Sequence, residues 1–378
     1  DEGDAFNEIL HNKTINKLKS KRIFKSVTSE VVEGDTPDTK VVNITIEEKP
    51  TGEISAGAGV GTSGGSVGFS LQENNYMGQG ISLRSSLNLD NSSIQGVVAV
   101  TVPNYNYSDN SLVASVRSST EDYLTDYGYK TGKTGFSVGT RFEQYEDFYF
   151  SPKISAYYEK LTTQSNASAN LKKQEGTYQD IFVDYSISLD KRDQAYQPSD
   201  GYQSSFSQKL PLYSQNYALS NSYVFTSYHQ LVQEMVGSFS LYTRMITSLS
   251  DEDVTISDRL QVPGNRLRGF QQGKVGPVDN GGYVGGNYVT ALNLATDLPA
   301  VLPTLQNLDF KLFMDTANVW GVDYTDQINN SNSIRTSAGV GVDWYTPIGP
   351  LSFSLSQAIK SKDTDKLETF RFNLGTTF

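Results

Sequence analysis

Read for the spacing of apolar and polar positions, the chain changes character near residue 50. Before that point Ala5, Ile9, Ile15 and Leu18 recur at helical spacing, with Lys13, Lys17 and Lys19 on the other side, and Arg22–Phe24 ends the pattern. Val27–Val32 and Lys40–Glu47 then alternate as two short strands, with turn residues between them at Gly34–Asp38 (GDTPD). Helix, strand, hairpin turn and strand make a small α/β unit over residues 1–50, one that starts part-way into a domain because no strand precedes the helix. Glu47–Pro50 (EEKP) marks its boundary.

From Thr51 onward the period changes to two. Successive side chains of a strand point to opposite faces, and stretches of about ten alternating residues match a tilted crossing of a bilayer. The alternation predicts strands at Gly52–Thr62, Ser66–Glu73, Gly80–Leu89, Ile94–Val102, Ser111–Glu121, Thr134–Glu143, Ser151–Leu161, Tyr178–Leu189, Gly201–Pro211, Ala218–Leu231, Met235–Leu249, Gly286–Asp297, Leu308–Val319, Ser333–Tyr345, Leu351–Ile359 and Leu367–Phe378. The fold class is therefore all-β: an antiparallel transmembrane β-barrel of about sixteen strands over residues 51–378, an even number as bacterial barrels require. Both of its ends then lie on the side of the N-terminal unit. Asn74–Gln79, Pro103–Asn110 and Thr346–Pro350 read as compact turns on that side. On the other side one connection, residues 250–282, is much longer than the rest, and segments of that length are usually functional.

The final stretch, LETFRFNLGTTF, puts Phe370, Phe372, Leu374, Thr376 and Phe378 on one face and Glu368, Arg371, Asn373 and Thr377 elsewhere. An aromatic end suits the girdle where lipid meets water. The alternative is an edge strand of a soluble sandwich.

Composition agrees with the barrel. Tyr (23) and Phe (18) greatly outnumber Trp (2), and Gly is abundant at 32. No apolar run approaches the roughly 18 residues of a transmembrane helix. A mean hydropathy of −0.42 is compatible with a barrel, which shows lipid only alternate residues. The net charge of −11 argues against nucleic acid as a partner. Cysteine is absent, which removes disulfides, thiolate metal sites and a Cys nucleophile. Asp1–Leu10 has neither the basic start nor the apolar core of a signal peptide.

Two motifs carry no chemistry in this setting. Gly59–Gly64 satisfies GxGxxG and Gly61–Gly65 satisfies GxSxG, but both need a helix to follow, and a strand follows. The chain has two histidines, His11 and His229, and neither sits in a motif. No catalytic residue, cofactor or metal site is predicted.

The glycines carry a structural expectation. Gly52, Gly57, Gly59 and Gly61 weaken the first strand, and Gly375 interrupts the last, with which it must pair to close the barrel. The alternative is that they relieve crowding at a sharp bend. In the long connection, Leu267-Arg268-Gly269-Phe270 suits a tight buried turn, and a loop folded into a polar lumen would offer Arg268 a carboxylate. Asp315, in FMDTA, is the candidate, because its apolar neighbours on a lipid-suited strand turn it inward. The alternative is a surface arginine and a lumen aspartate that never meet.

Taken together these residues resemble the BamA-type outer-membrane assembly proteins, which combine a surface-antigen barrel with periplasmic POTRA domains. Leu267–Phe270 is similar to the family's V/I-R-G-F/Y loop motif and Phe313–Ala317 to F-x-D-x-G. Leu189–Arg192 through Pro198–Gly201 is similar to its mid-barrel motif, and Leu367–Phe378 to its closing strand. Ala317 departs from the usual glycine. Gly286–Asp297 lacks a second acidic partner for the arginine, Asp297 being its one acid. The resemblance implies that residues 1–50 are part of a last POTRA domain, on the periplasmic side of a bacterial outer membrane. It implies a protein that inserts unfolded outer-membrane barrels into the lipid bilayer with the help of accessory lipoproteins. The expected sites are a loop clamp of Arg268, Asp315, Gly269 and Phe270, and a lateral seam of Gly57, Gly59, Gly61, Asn373, Gly375 and Phe378. A polypeptide-secreting transporter of the same superfamily and a passive porin are the other readings.

Overall fold

A computed structural model describes residues 3, 5–20, 23–36, 38–108, 110–195, 197–232, 235–298, 307–324, 328–329, 332–346 and 349–375. The N-terminal unit is α1 (Glu8–Ser20) with an antiparallel hairpin of β1 (Phe24–Glu33) and β2 (Lys40–Glu48). Ile15, Ile23 and Val27 are buried, but Ile9 is 79% exposed. The expected apolar stripe is thus covered only along part of its length, because a two-stranded sheet is too narrow to shield the whole helix.

The barrel begins with β3 (Gly52–Gly61), β4 (Gly64–Tyr76), β5 (Ile81–Asp90), β6 (Ser93–Val102) and β7 (Ser111–Tyr123). It continues, after the short helix α2 (Leu124–Tyr127), with β8 (Tyr129–Tyr145) and β9 (Phe148–Thr163). Beyond α3 (Ala169–Lys172) come β10 (Gly176–Asp190), β11 (Gly201–Tyr213), β12 (Ala218–Val232) and β13 (Met235–Ser248). The long connection contains three two-residue strands, β14 (Gly269–Phe270), β15 (Val278–Asp279) and β16 (Gly282–Tyr283). The chain then forms β17 (Tyr288–Asp297), β18 (Leu308–Trp320), β19 (Ile328–Asn329), β20 (Arg335–Thr346), β21 (Gly349–Lys360), β22 (Leu367–Glu368) and β23 (Phe370–Gly375).

Sixteen of these strands close on themselves: β3 to β13 in sequence, then β17, β18, β20, β21 and β23, which pairs back to β3. All neighbours are antiparallel, and closure removes the exposed edges that an open sheet cannot carry in lipid. Direct partners share a face. Ile54, Ala56, Ala58 and Val60 therefore point outward with Leu71, Phe69 and Val67, while Ser55 and Gly57 point inward with Ser70 and Gly68. The outward residues of this pair and of Phe136, Val138, Ile154, Leu294, Leu312, Met314, Val340 and Leu355 are exposed, as a lipid-facing belt requires.

Two expectations shift at this level. β8 starts at Tyr129 rather than Thr134, because Tyr129 and Thr131 are buried under far-end connections that extend the wall. The last strand is not continuous over Leu367–Phe378. Leu367 and Glu368 pair with Phe270 and Gly269 of the long connection, and the barrel strand proper starts at Phe370. Residues 376–378, including Phe378, lie outside the described residues.

Candidate functional site

The connection between β13 and β17 folds back into the barrel. Val254, Leu260, Val262, Leu267, Phe270 and Val275 from it pack against the inward side chains Ile246, Val289, Ala291, Ala317 and Val319. The lumen was expected to be polar, and beneath this loop it is a hydrophobic core. Those wall positions carry apolar side chains on the inner face, so a soluble-type core forms inside the barrel on β13, β17 and β18. Burying one side chain the size of Phe270 contributes about 1.5–3 kcal/mol, which helps hold a loop of this length in place.

Arg268 lies at the turn of that loop. Its Nε donates to Asp315 Oδ2 at 2.7 Å and its Nη2 to Oδ1 at 2.8 Å, and its own backbone N–H donates to Oδ2 at 3.0 Å. The guanidinium carbon lies 3.3 Å from the centre of the Phe313 ring, so the cation rests its face on an aromatic ring while a carboxylate forks onto its edge. Asp315 is fully buried. Gly269 takes φ of 89°, and a Cβ there would meet Ser337 Cβ at 3.1 Å, so the turn admits glycine alone without strain. Ser337 Oγ donates to the Arg268 carbonyl. Phe270 is buried in the core beside it.

The strand opposite supplies an amide to the carboxylate rather than a second acid to the arginine. Asn293 lies opposite Asp315 in the β17–β18 register, and its Nδ2 donates to Asp315 Oδ1 at 2.8 Å and to the Arg266 carbonyl at 2.9 Å. Asp297 is not at the clamp. It lies opposite Lys311, 3.7 Å from its Nζ.

Sequence reasoning missed how the loop is tied to the closing strand. Gly269–Phe270 pairs with Leu367–Glu368, and the Gln271 N–H donates to the Lys366 carbonyl at 2.9 Å. Arg371 of β23 points inward and donates to three acceptors: Glu368 Oε2 at 2.6 Å, Gly264 O at 2.6 Å and Phe270 O at 2.7 Å. Two of those are loop carbonyls. The signal in the sequence was an arginine on the polar face of an otherwise aromatic strand. A second missed pair, Arg335–Asp365, is fully buried, with Nη2 to Oδ1 at 2.9 Å, and pins the connection that leads into β22. No spacing or motif announces it.

At the seam β23 meets β3 through Asn373↔Gly61, Leu374↔Val60 and Gly375↔Gly59, and the Thr62 N–H donates to the Phe372 carbonyl at 3.1 Å. That is three register pairs among the described residues, against ten between β3 and β4. Gly57, Gly59 and Gly61 all lie on the lumen face, alternating with the outward Ala56, Ala58 and Val60. Gly57 faces Gly68 on β4. At Gly61 the crowding is across the seam rather than at a bend: a Cβ would collide with Asn373 Oδ1 and lie 2.7 Å from the Phe372 carbonyl. The structure therefore brings Arg268, Gly269, Phe270 and Asp315 together in one place and Gly59, Gly61, Asn373 and Gly375 in another, with Arg371 between them.

The mid-barrel motif forms a structured turn at the end of the barrel where β3 begins. Arg192 forks onto Asp190 at 2.8 and 2.7 Å, and Asp193 accepts from Ser199 Oγ at 2.6 Å and from backbone N–H groups of Ser199 and Asp200. The Ser199 hydroxyl bond, aided by those N–H groups, holds the Asp193 carboxyl below its usual range. Gln197 reaches the carboxylate of Asp309 on β18 at 3.1 Å, so this turn extends across the mouth of the lumen.

Residues 51–378 match the Omp85 superfamily domain. The chain is 25% identical over 347 residues to the outer membrane protein assembly factor BamA of Neorickettsia risticii, covering 89% of this chain and 46% of that protein. It spans about half the length of the curated relatives it matches. In fold it is similar to a crystal structure of BamA from Haemophilus ducreyi lacking POTRA domains 1–3, with a TM-score of 0.85, 22% identity, and coverage of 97% of this chain and 78% of that one. CdiB from Acinetobacter baumannii is a more distant likeness, at a TM-score of 0.55 and 12% identity over 95% of this chain and 67% of that one.

Proposed function

The chain belongs to the Omp85 superfamily, and from that premise we propose that it is an outer-membrane barrel that folds and inserts other β-barrel proteins through an openable seam between β3 and β23. The observation that carries this reading is the seam itself: three register pairs among the described residues, with a glycine-lined inner face, next to a closing strand whose Arg371 is bonded to the lumen loop. Opening exposes strand edges on β3 and β23. An unpaired edge in lipid is costly, because no water replaces its partners, and an incoming strand of a client satisfies it by β-augmentation. No covalent chemistry is required of the protein.

The first strand of the seam is also short: β3 has 10 residues, against 17 in β8 and 16 in β9. A shorter apolar wall thins the adjoining bilayer, which lowers the barrier to a client entering at that point. Residues 1–50 act in this reading as part of a periplasmic POTRA domain that receives clients and accessory lipoproteins. Secretion of a polypeptide through the lumen would require extraction of the loop and its hydrophobic core, so insertion at the seam is favoured over transport.

The test is reconstitution of the chain in liposomes with an unfolded outer-membrane barrel as client. Client folding faster than with a passive barrel of equal size is the expected result. Equal rates would remove the assembly function.

A further inference from the structure

The lumen loop is bonded to both halves of the barrel that meet at the seam. On the β23 side, the ladder of Gly269–Phe270 with Leu367–Glu368 is extended by Gln271 N–H to Lys366 O at 2.9 Å and by Lys366 N–H to Lys274 O at 3.1 Å. On the β3 side the attachment is the side chain of that same Lys274. Its Nζ donates to Asp126 Oδ1 at 2.8 Å and lies 4.5 Å from the centre of the Tyr127 ring. Asp126 and Tyr127 belong to α2, which is carried by β7 and β8 in the half of the barrel that starts with β3. The backbone of Lys274 therefore holds the half that ends in β23, and its ammonium holds the half that begins with β3.

The approach is close along this whole span. Gly273 takes φ of 68°, and a Cβ there would overlap the Tyr127 hydroxyl, so the loop passes directly against α2. The Lys274 side chain is 14% exposed, enclosed between two tyrosine rings, with that of Tyr283 at 5.6 Å. Beneath it a cavity of about 720 Å³ lies against the inner face of the seam, lined by Gly59, Gly61, Gln272, Glu368 and Asn373 among others. The seam's own ladder has three register pairs among the described residues. A tether that crosses this hollow adds bonds that opening must break and that strand pairing does not supply.

We propose that Lys274 is a positioning residue for the assembly reaction: its ion pair to Asp126 and ring contact to Tyr127 latch together the two halves of the barrel that meet at the seam, and their release lets β23 and β3 part. The role in assembly rests on the function proposed above. The latch is a property of the barrel alone and is read without any client.

The absence of cysteine allows nitroxide labels at Ser63→Cys and Asp363→Cys, exposed positions on far-end connections either side of the seam. Pulsed dipolar spectroscopy of the barrel in detergent, without client, reads the distance between them. Lys274→Ala is expected to raise the long-distance population about five- to tenfold, the size expected for losing one ion pair and one cation–π contact. Asp126→Asn is expected to shift it in the same direction, and it carries the test if Lys274→Ala does not fold. Lys274→Arg, which keeps the charge and the ring contact, is expected to restore the parent distribution. Lys362→Ala, on the exposed connection that precedes β22, is the control that should leave it unchanged. Distance distributions for Lys274→Ala and Asp126→Asn that superimpose on the parent would overturn the latch. A lengthened distance in a protein that fails to accelerate client folding would leave the latch standing and remove the assembly function instead.

Discussion

Gly269 and Glu368 are direct partners in an antiparallel ladder, one from the turn of the lumen loop and the other from the stretch that leads into the closing strand. The Glu368 carboxylate in turn accepts from Arg371, which also donates to the carbonyls of Gly264 and Phe270. The clamp on Arg268 and the seam at β23 are therefore one bonded unit. Displacing the loop pulls on the strand that closes the barrel.

Arg371→Ala should uncouple the two. It leaves two loop carbonyls and a carboxylate without their donor, and an unsatisfied buried polar group costs about 1–3 kcal/mol. Limited proteolysis of the intact barrel should then cut the loop near residues 264–274, and the unheated gel band should convert to its unfolded position at a lower temperature than in the parent. Arg371→Lys should give an intermediate result, because one ammonium cannot span three acceptors in fork geometry. Parent-like resistance in Arg371→Ala would mean that the loop is held by its core contacts alone.

The clamp predicts a non-additive pair. Arg268→Ala leaves a fully buried Asp315 facing the empty site, and breaking a buried pair costs roughly 3–5 kcal/mol. Water in the lumen and the remaining bond from Asn293 reduce that figure. Asp315→Ala removes the carboxylate and leaves Arg268, which is partly exposed and stacked on Phe313, better able to reach solvent. Loss of heat resistance should be larger for Arg268→Ala than for Asp315→Ala, and the double variant should lose less than the two summed. Simple additivity would show that the two side chains do not act as a pair.

What could be read from the sequence follows from which interactions are local. Period 2 is a property of each strand, so sixteen crossings and the inward direction of Asp315 were legible. The break at Thr369 shows in the sequence only as a change of phase, apolar Leu367 being odd where Phe370, Phe372 and Leu374 are even, and the partner Gly269–Phe270 that diverts the chain is distant in sequence. The apolar core under the loop was hidden for the same reason. Val289, Ala291, Ala317 and Val319 suit either face of a strand, and the loop that covers them is distant in sequence. Arg268 and Asp315 were legible because a motif of unusual residues marks each one. Lys274–Asp126 and Arg335–Asp365 join ordinary charged residues whose neighbours give no sign of the contact.

Gly61 gives a prediction opposite to that of a glycine that merely loosens its strand. A Cβ at this position collides with Asn373 Oδ1 and approaches the Phe372 carbonyl to 2.7 Å, both on β23. Gly61→Val should therefore prise the seam apart rather than strengthen β3 by its higher β propensity. The expected readout is conversion of the unheated gel band to its unfolded position at a lower temperature than in the parent. Gly61→Val with Asn373→Gly should recover part of that loss. A higher conversion temperature in Gly61→Val would mean that glycine weakens the seam after all.

The seam itself can be locked, and its register says where. The Thr62 N–H donates to Phe372 O, which makes 62 and 372 a bonded pair. Alternation along an antiparallel ladder then makes 61–373 and 59–375 the non-bonded pairs, whose side chains approach more closely. Gly59→Cys with Gly375→Cys therefore meets the geometry of a disulfide, and no native cysteine competes. Val60→Cys with Gly375→Cys is the control, because a one-residue shift sends the two thiols to opposite faces. Under mild oxidant the first pair should cross-link nearly completely and the control should not. The cross-linked barrel should keep its heat-modifiable band yet lose its acceleration of client folding in liposomes, and reductant should restore it. Each ladder bond is worth about 1 kcal/mol net in water and more in lipid, so an opening that breaks only a few of them lies within reach of a client strand that replaces them. A disulfide removes that equilibrium without altering the loop, the lumen or the lipid-facing wall. Full activity in the oxidised barrel would therefore place client folding somewhere other than the seam, and templating on β3 and β23 would be the wrong mechanism.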